Sequence, residues 1–231
     1  MRRLITTIVV LVAVFVLVDR VAVVYAEHRV ASTVRKTENL ATTPSVKIHG
    51  FPFLTQLVRQ RFGDVEVVVK DFNRTGAVVV DRIDVHLHDA RVNIGEALKG
   101  GGTRVPVRRV DGTATISYLS LNRAHDGLSF GYAGAGRVHV TGGVSVLGRR
   151  ITASATARMV LAGDGFSAAV DSITGGATAA AATVDRTVRR AFGVSTPLPR
   201  FPFHFTLTSV RATSAGIEVS GSASNVVLTT G

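Results

Sequence analysis

The sequence predicts an α+β fold: a long N-terminal helix wrapped by a highly curved antiparallel β-sheet, with a second, short amphipathic helix later in the chain. Three observations carry the prediction. An apolar segment at the start runs directly into a helical pattern. After Pro44 the hydrophobic period changes from helical to two, the signature of strands that bury one face. Val, Thr, Ala and Gly dominate the 231 residues, with 23 Gly and no Trp, a composition of strands and turns rather than of a helical bundle.

Arg2 and Arg3 precede an apolar run from Leu4 to Val18, broken only by Thr6 and Thr7. Fifteen residues fall short of the roughly 20 that span a bilayer. A basic start with a short apolar run is the layout of a secretory signal, and Val24-Tyr25-Ala26 offers a small-residue cleavage site. Asp19-Arg20 sit awkwardly between run and site and allow a second reading, an uncleaved signal anchor. The expected organisation is residues 1–26 as signal peptide or signal anchor and 27–231 as a single domain. Cleavage would remove three Arg and one Asp and lower the formal charge from +11 to +9. An exported basic chain meets anionic lipid and envelope polymers by long-range attraction.

From Val21 to Leu40 the pattern stays helical, with Val23, Val30 and Val34 near one stripe, and Thr42-Thr43-Pro44 ends it. Val46 and Ile48 then alternate with Lys47 and His49. Gly50-Phe51-Pro52-Phe53 turns the chain, and residues 54–61 read as about one helical turn. Val65–Val69 is a strand. Val78–Val92 holds the cleanest alternation, Ile83, Val85 and Leu87 against Asp84, His86 and His88. A short helix is expected at Asn93–Lys99, followed by two separate strands, Val105–Val110 and Thr113–Tyr118, and a short helical piece at Leu119–Ala124. Leu128–Tyr132, Arg137–Val146, Ile151–Leu161 and Phe166–Val170 read as an antiparallel meander with Gly-rich turns. Val184–Phe192 is the second amphipathic helix. Phe203–Ala212 and Ile217–Leu228 form a closing hairpin.

Long strands with one apolar face must cover it. A curved sheet around a helix does so and leaves a groove lined by Val, Ile, Leu and Phe, suited to acyl chains. A solid core needs the same pattern, so periodicity does not separate the two.

The lack of cysteine excludes disulfides, thiolate metal sites, iron–sulfur clusters and a cysteine nucleophile. Gly127-Leu128-Ser129-Phe130-Gly131 matches the nucleophile-elbow pattern, but that elbow needs a strand, a sharp turn and a helix, and strand patterns flank it here. Asp84, His86 and His88 share one strand face at metal-ligand spacing, and a solvated polar face explains the alternation as well. Paired arginines recur at Arg59/Arg61, Arg108-Arg109, Arg149-Arg150 and Arg189-Arg190. Arg matches phosphate geometry, so Arg59 and Arg61 are head-group candidates. Nucleic acid is not expected as a partner, because stacking aromatics and a basic recognition helix are missing. Asn73-Arg74-Thr75 fits a glycosylation sequon. No cofactor motif, metal centre or catalytic constellation is expected, and the chain reads as a non-enzyme.

One block is specific: Pro44-Ser45-Val46-Lys47-Ile48-His49-Gly50-Phe51-Pro52-Phe53-Leu54-Thr55-Gln56-Leu57, then Phe62-Gly63-Asp64-Val65-Glu66-Val67. Near the end Pro197-Leu198-Pro199 leads to Leu207-Thr208-Ser209-Val210-Arg211 and Gly216-Ile217-Glu218-Val219. With the N-terminal export segment, this resembles the LmeA-type phospholipid-binding proteins of actinobacteria, over roughly residues 20–228. The resemblance implies a tubular lipid-binding (TULIP-like) domain, phospholipid as ligand (anionic, phosphatidylinositol types among them), a periplasmic or cell-envelope location on the outer side of the plasma membrane, and a role in maturing lipomannan-type lipoglycans. It brings no catalytic residues. Candidate cavity-lining residues are Phe51, Phe53, Leu54, Leu57, Ile83, Val85 and Leu87. The alternative is a solid-cored envelope scaffold that recruits a glycosyltransferase or binds lipoglycan.

Overall fold

A computed structural model describes residues 1–72, 79–95, 103–146, 149–162, 165–174, 195–197 and 205–230. The fold class is α+β, a long N-terminal helix with large antiparallel sheets, as in TULIP-like domains. Helix α1 spans Arg2–Thr37 without interruption, so the apolar run and the amphipathic stretch are one helix. Strand β1 (Ser45–His49), helix α2 (Phe53–Val58), β2 (Arg61–Phe72), β3 (Val80–Arg91), β4 (Thr103–Ile116) and helix α3 (Tyr118–Ala124) follow. Then come β5 (Leu128–Gly134), β6 (Arg137–Val146), β7 (Arg149–Ala162), β8 (Gly165–Thr174), β9 (Ser195–Pro197), β10 (Thr206–Ala212) and β11 (Ile217–Thr230). One sheet has the order β1-β2-β3-β4-β11-β10, the other β5-β6-β7-β8-β9, and among the described residues neither closes on itself.

Two expectations change. The two strands expected at 105–110 and 113–118 are one, β4, because Asp111 stays extended and takes Arg109 and His88 as ion-pair partners instead of turning the chain. The helical turn expected over residues 54–61 is present as the six-residue helix α2, which starts one residue earlier, at Phe53, and ends at Val58. The amphipathic helix at Val184–Phe192 and the sequon at Asn73 lie outside the described residues, as does most of the short helix at Asn93–Lys99.

The chain divides into two compact units. Unit 1 comprises Met1–Val69, Asp84–Asp111 and Ala223–Gly231. Its core holds Val23, Phe53, Phe62, Ala90 and Val107, with Ala22, Ala26, Ile48, Leu54, Leu57 and Leu87 packed against them. Strand β1 pairs antiparallel with β2, Val46 opposite Val67 and Ile48 opposite Val65. Glu27 of α1 reaches β1 and accepts a hydrogen bond from the Ile48 amide at 2.8 Å.

Unit 2 comprises Lys70–Ile83 and Gly112–Ser222. Strands β6 and β7 place Val138 opposite Ala157 and Val140 opposite Ala155, all four fully buried. Alanine across from valine lets the face lie close to its neighbours while the alternate residues meet water. Ser117 caps α3 through a hydrogen bond from the Ser120 amide, and Asp81 accepts from both the Ser117 amide and its hydroxyl. Gly216 closes the β10–β11 hairpin at φ +152°, where a Cβ would collide with the carbonyl of Ile116.

Candidate functional site

The specific block at residues 50–57 forms one corner of unit 1. Gly50 turns the chain at φ +101°, a conformation that suits glycine alone. The Gln56 amide then ties the corner on two sides: Nε2 donates to the His49 carbonyl at 3.1 Å, and Oε1 accepts from the Gly63 amide at 3.2 Å. The Thr55 hydroxyl donates to the Pro52 carbonyl at 3.1 Å. Phe53 is buried and lies 6.2 Å from the Phe62 ring. Leu54 and Leu57 pack on the same core. Phe51 instead faces outward, 60% exposed, with the Arg20 guanidinium 5.2 Å from its ring centroid.

The first turn of α2 exposes amides that need acceptors. No α2 side chain supplies one. The acceptor is Asp19 of α1, which takes the Leu54 amide at 2.8 Å and the Arg20 guanidinium at 2.6 Å, and is wholly inaccessible to solvent. Sequence reasoning saw Asp19 only as a flaw in the apolar run. Its meaning depends on a partner 35 residues away, which no local pattern discloses.

Directly after α2 lies a basic groove. Arg59, Gln60 and Arg61 line it with Arg91, Asn93, Arg104 and Pro106 in one pocket of ≈490 Å³. A second pocket of ≈490 Å³ shares Arg61, Arg91 and Pro106 and adds Asp89, Arg108 and Asn225. The two pockets together carry five arginines and one carboxylate, Asp89, which lines the second pocket only. Arg61 holds Asp89 at 2.8 Å and Arg108 holds it at 3.5 Å. The hydrogen bond from Arg61, with Arg108 assisting, keeps the Asp89 carboxyl below its ordinary range. Arg59, Arg91 and Arg104 are exposed and have no ion-pair partner among the described residues. Sequence pairing pointed to Arg59 and Arg61; of the other three, Arg91 comes from β3 and Arg104 and Arg108 from β4, brought beside them by the neighbouring positions of the strands. The groove suits an anionic group with several oxygens, such as a phosphate ester.

The polar face of β3 carries a second cluster. His49, His86 and His88 stack in a row, with centroids 6.3 and 6.0 Å apart. Each meets a carboxylate: His49 with Glu66 at 2.9 Å, His86 with Asp64 at 3.1 Å, and His88 with Asp111 at 3.1 Å. Among the described residues no group of three His, Asp or Glu is arranged to hold a metal ion. Ser129 sits mid-strand in β5, paired with Thr141, so the elbow geometry is not formed there.

The apolar face of β3 is divided. Leu87 packs into the core of unit 1, Ile83 into that of unit 2, and Val85 is half-buried. Within unit 2, Leu121, His125, Phe130, Met159 and Phe166 surround a gap of ≈10 Å³, room for about one water. Burial lowers the pKa of His125, whose Nε2 has no partner among the described residues. Of the remaining arginine pairs, Arg109 is held by Asp111 at 2.8 Å, and Arg189-Arg190 lie outside the described residues.

A family model described as LmeA-like phospholipid-binding matches residues 17–222. No curated protein and no solved structure matches the chain.

Proposed function

The chain belongs to the LmeA-like phospholipid-binding family, and from that premise we propose that it binds an anionic phospholipid on the outer side of the plasma membrane without chemically altering it. The acyl chains are held against apolar residues of unit 1, with Phe53, Leu54, Leu57, Val85 and Leu87 the first candidates. The phosphate takes the basic groove. The observation that carries this reading is the gathering of Arg59, Arg61, Arg91, Arg104 and Arg108 along two adjoining pockets whose one acidic lining residue, Asp89, pairs with Arg61 and Arg108 alone. A lipid phosphate gains charge-assisted hydrogen bonds there, and each arginine near an anionic surface contributes about 1 kcal/mol. Each methylene removed from water adds about 0.8 kcal/mol, so the chains supply most of the affinity and the groove supplies the preference.

In the cell envelope such a protein carries or presents lipid, and phosphatidylinositol-type lipids fit a role in lipoglycan maturation alongside a glycosyltransferase. The test is to load the full chain from mixed-lipid nanodiscs and identify the retained lipid by native mass spectrometry. Enrichment of phosphatidylinositol or phosphatidylglycerol over phosphatidylcholine supports the reading, and retention in proportion to the supplied mixture refutes the groove's role.

A second reading, the envelope scaffold, draws on the tight packing of unit 2 around its ≈10 Å³ gap. It predicts a chain that stays lipid-free in the same experiment and co-purifies with a glycosyltransferase.

A further inference from the structure

We infer that the N-terminal segment is retained as a membrane anchor that is also part of the fold, and that it seats the α2 corner in the outer leaflet of an anionic bilayer, just beneath the head groups. If the chain were cut after Ala26, unit 1 would lose every α1 residue of its core cluster, Ala22, Val23 and Ala26. It would also lose Asp19, the acceptor for the first turn of α2. The family match begins at residue 17, upstream of that site. Residues that a domain needs for its core are not a disposable leader.

The dimensions agree. From Leu4 to Val18 large apolar side chains are exposed all round α1. Those 15 residues span only about 22 Å, short of a hydrocarbon core of about 30 Å. Beyond Val18 the helix becomes two-faced. Asp19, Ala22, Val23 and Ala26 turn to the protein, while Val21, Val24 and Tyr25 remain exposed. Counting that outer face, Leu4–Tyr25 covers about 33 Å, enough to span.

Asp19 then lies about 9 Å inside the outer end of that span, shielded from lipid by the corner it holds. That corner presents its own apolar surface: Phe51 is 60% and Val58 82% exposed. Arg20 pairs with Asp19 and lies over Phe51, an arrangement of cation and aromatic ring suited to the interface. From Leu54 to Arg59 is about 8 Å of helix, close to the roughly 9 Å between Asp19 and the outer end of the span, so the basic groove lies within reach of the head groups. Arg2 and Arg3 keep the N-terminus on the cytoplasmic side and place the domain outside.

Anchoring is separable from lipid loading, because a chain can be held by α1 without retaining a lipid. The full chain with a C-terminal tag is expressed in a bacterium, its membranes are washed with carbonate, and its intact mass is measured. The expected product retains residues 2–26 and resists the wash. A product that begins near Glu27 and is released by the wash overturns the inference. Docking of the corner is read separately. The chain has no Trp, so Phe51→Trp introduces a single reporter. In vesicles containing brominated phosphatidylglycerol its emission should be quenched at least twofold. Unquenched emission from a membrane-inserted chain overturns the docking.

Discussion

Replacing Arg59, Arg91 and Arg104 together with Gln separates the groove's role from that of the apolar interior. These three face the groove with no ion-pair partner among the described residues, whereas Arg61 and Arg108 already share Asp89. At about 1 kcal/mol for each cation near an anionic surface, the triple change removes about 3 kcal/mol of preference for anionic over zwitterionic lipid. That corresponds to a fall of roughly 100-fold in the ratio of the two bound species. Arg61→Gln alone should do less to the ratio and more to the site, since it leaves Asp89 with only the longer contact to Arg108. The assay is native mass spectrometry of the full chain loaded from nanodiscs of equal phosphatidylglycerol and phosphatidylcholine, in low salt and in high salt. The wild-type preference should shrink in 1 M salt, where the screening length is about 3 Å. An equal loss of both lipids in the triple variant would refute the reasoning, because it would mean that the arginines support the fold rather than select the head group.

Three further outcomes follow from the packing. Phe53→Ala removes a buried ring from the core of unit 1 and should cost about 3–5 kcal/mol, a drop in Tm of roughly 6–20 °C by thermal scanning; a drop below 2 °C would show that the corner is not part of that core. Gly216→Ala should cost more than about 1 kcal/mol, since the added Cβ meets the Ile116 carbonyl, and denaturant unfolding checks it. Burial, with a smaller contribution from Tyr132, pushes the Tyr118 hydroxyl from its ordinary value of 10 up to about 12. The unfolded chain then ionises at a pH where the native chain keeps its proton, so stability is full below 10 and is lost as pH rises from 10 towards 12. Tyr118→Phe should flatten that alkaline loss while costing about 1 kcal/mol at neutral pH for the bond to the Thr213 carbonyl, and pH-dependent melting of the two proteins decides it.

Periodicity disclosed most of the elements. The alternation of Ile83, Val85 and Leu87 with Asp84, His86 and His88 is the pleat of β3, and the apolar run with its helical continuation is α1. The break expected within β4 failed because Asp111 has partners on its own sheet face, a tertiary fact that local turn chemistry does not contain. The site was legible in fragments. Arg59 and Arg61 stood out as a pair, but Arg91, Arg104 and Arg108 join them only when β3 and β4 are in register. Phe51 and Phe53 look equivalent in sequence. The acceptor at Asp19 fixes the start of α2 with Phe53 buried, and Phe51 stays on the surface. The role of Asp19 was the least legible, since a buried carboxylate and a break in a hydrophobic run are written with the same letter.

The most direct test of phospholipid binding is the native mass of the full chain, extracted from its own membrane and exchanged into a lipid-free detergent. The account predicts a phospholipid adduct at a fixed ratio, anionic in class, that survives exchange. A bare protein mass that acquires no adduct from added phosphatidylinositol or phosphatidylglycerol would contradict it.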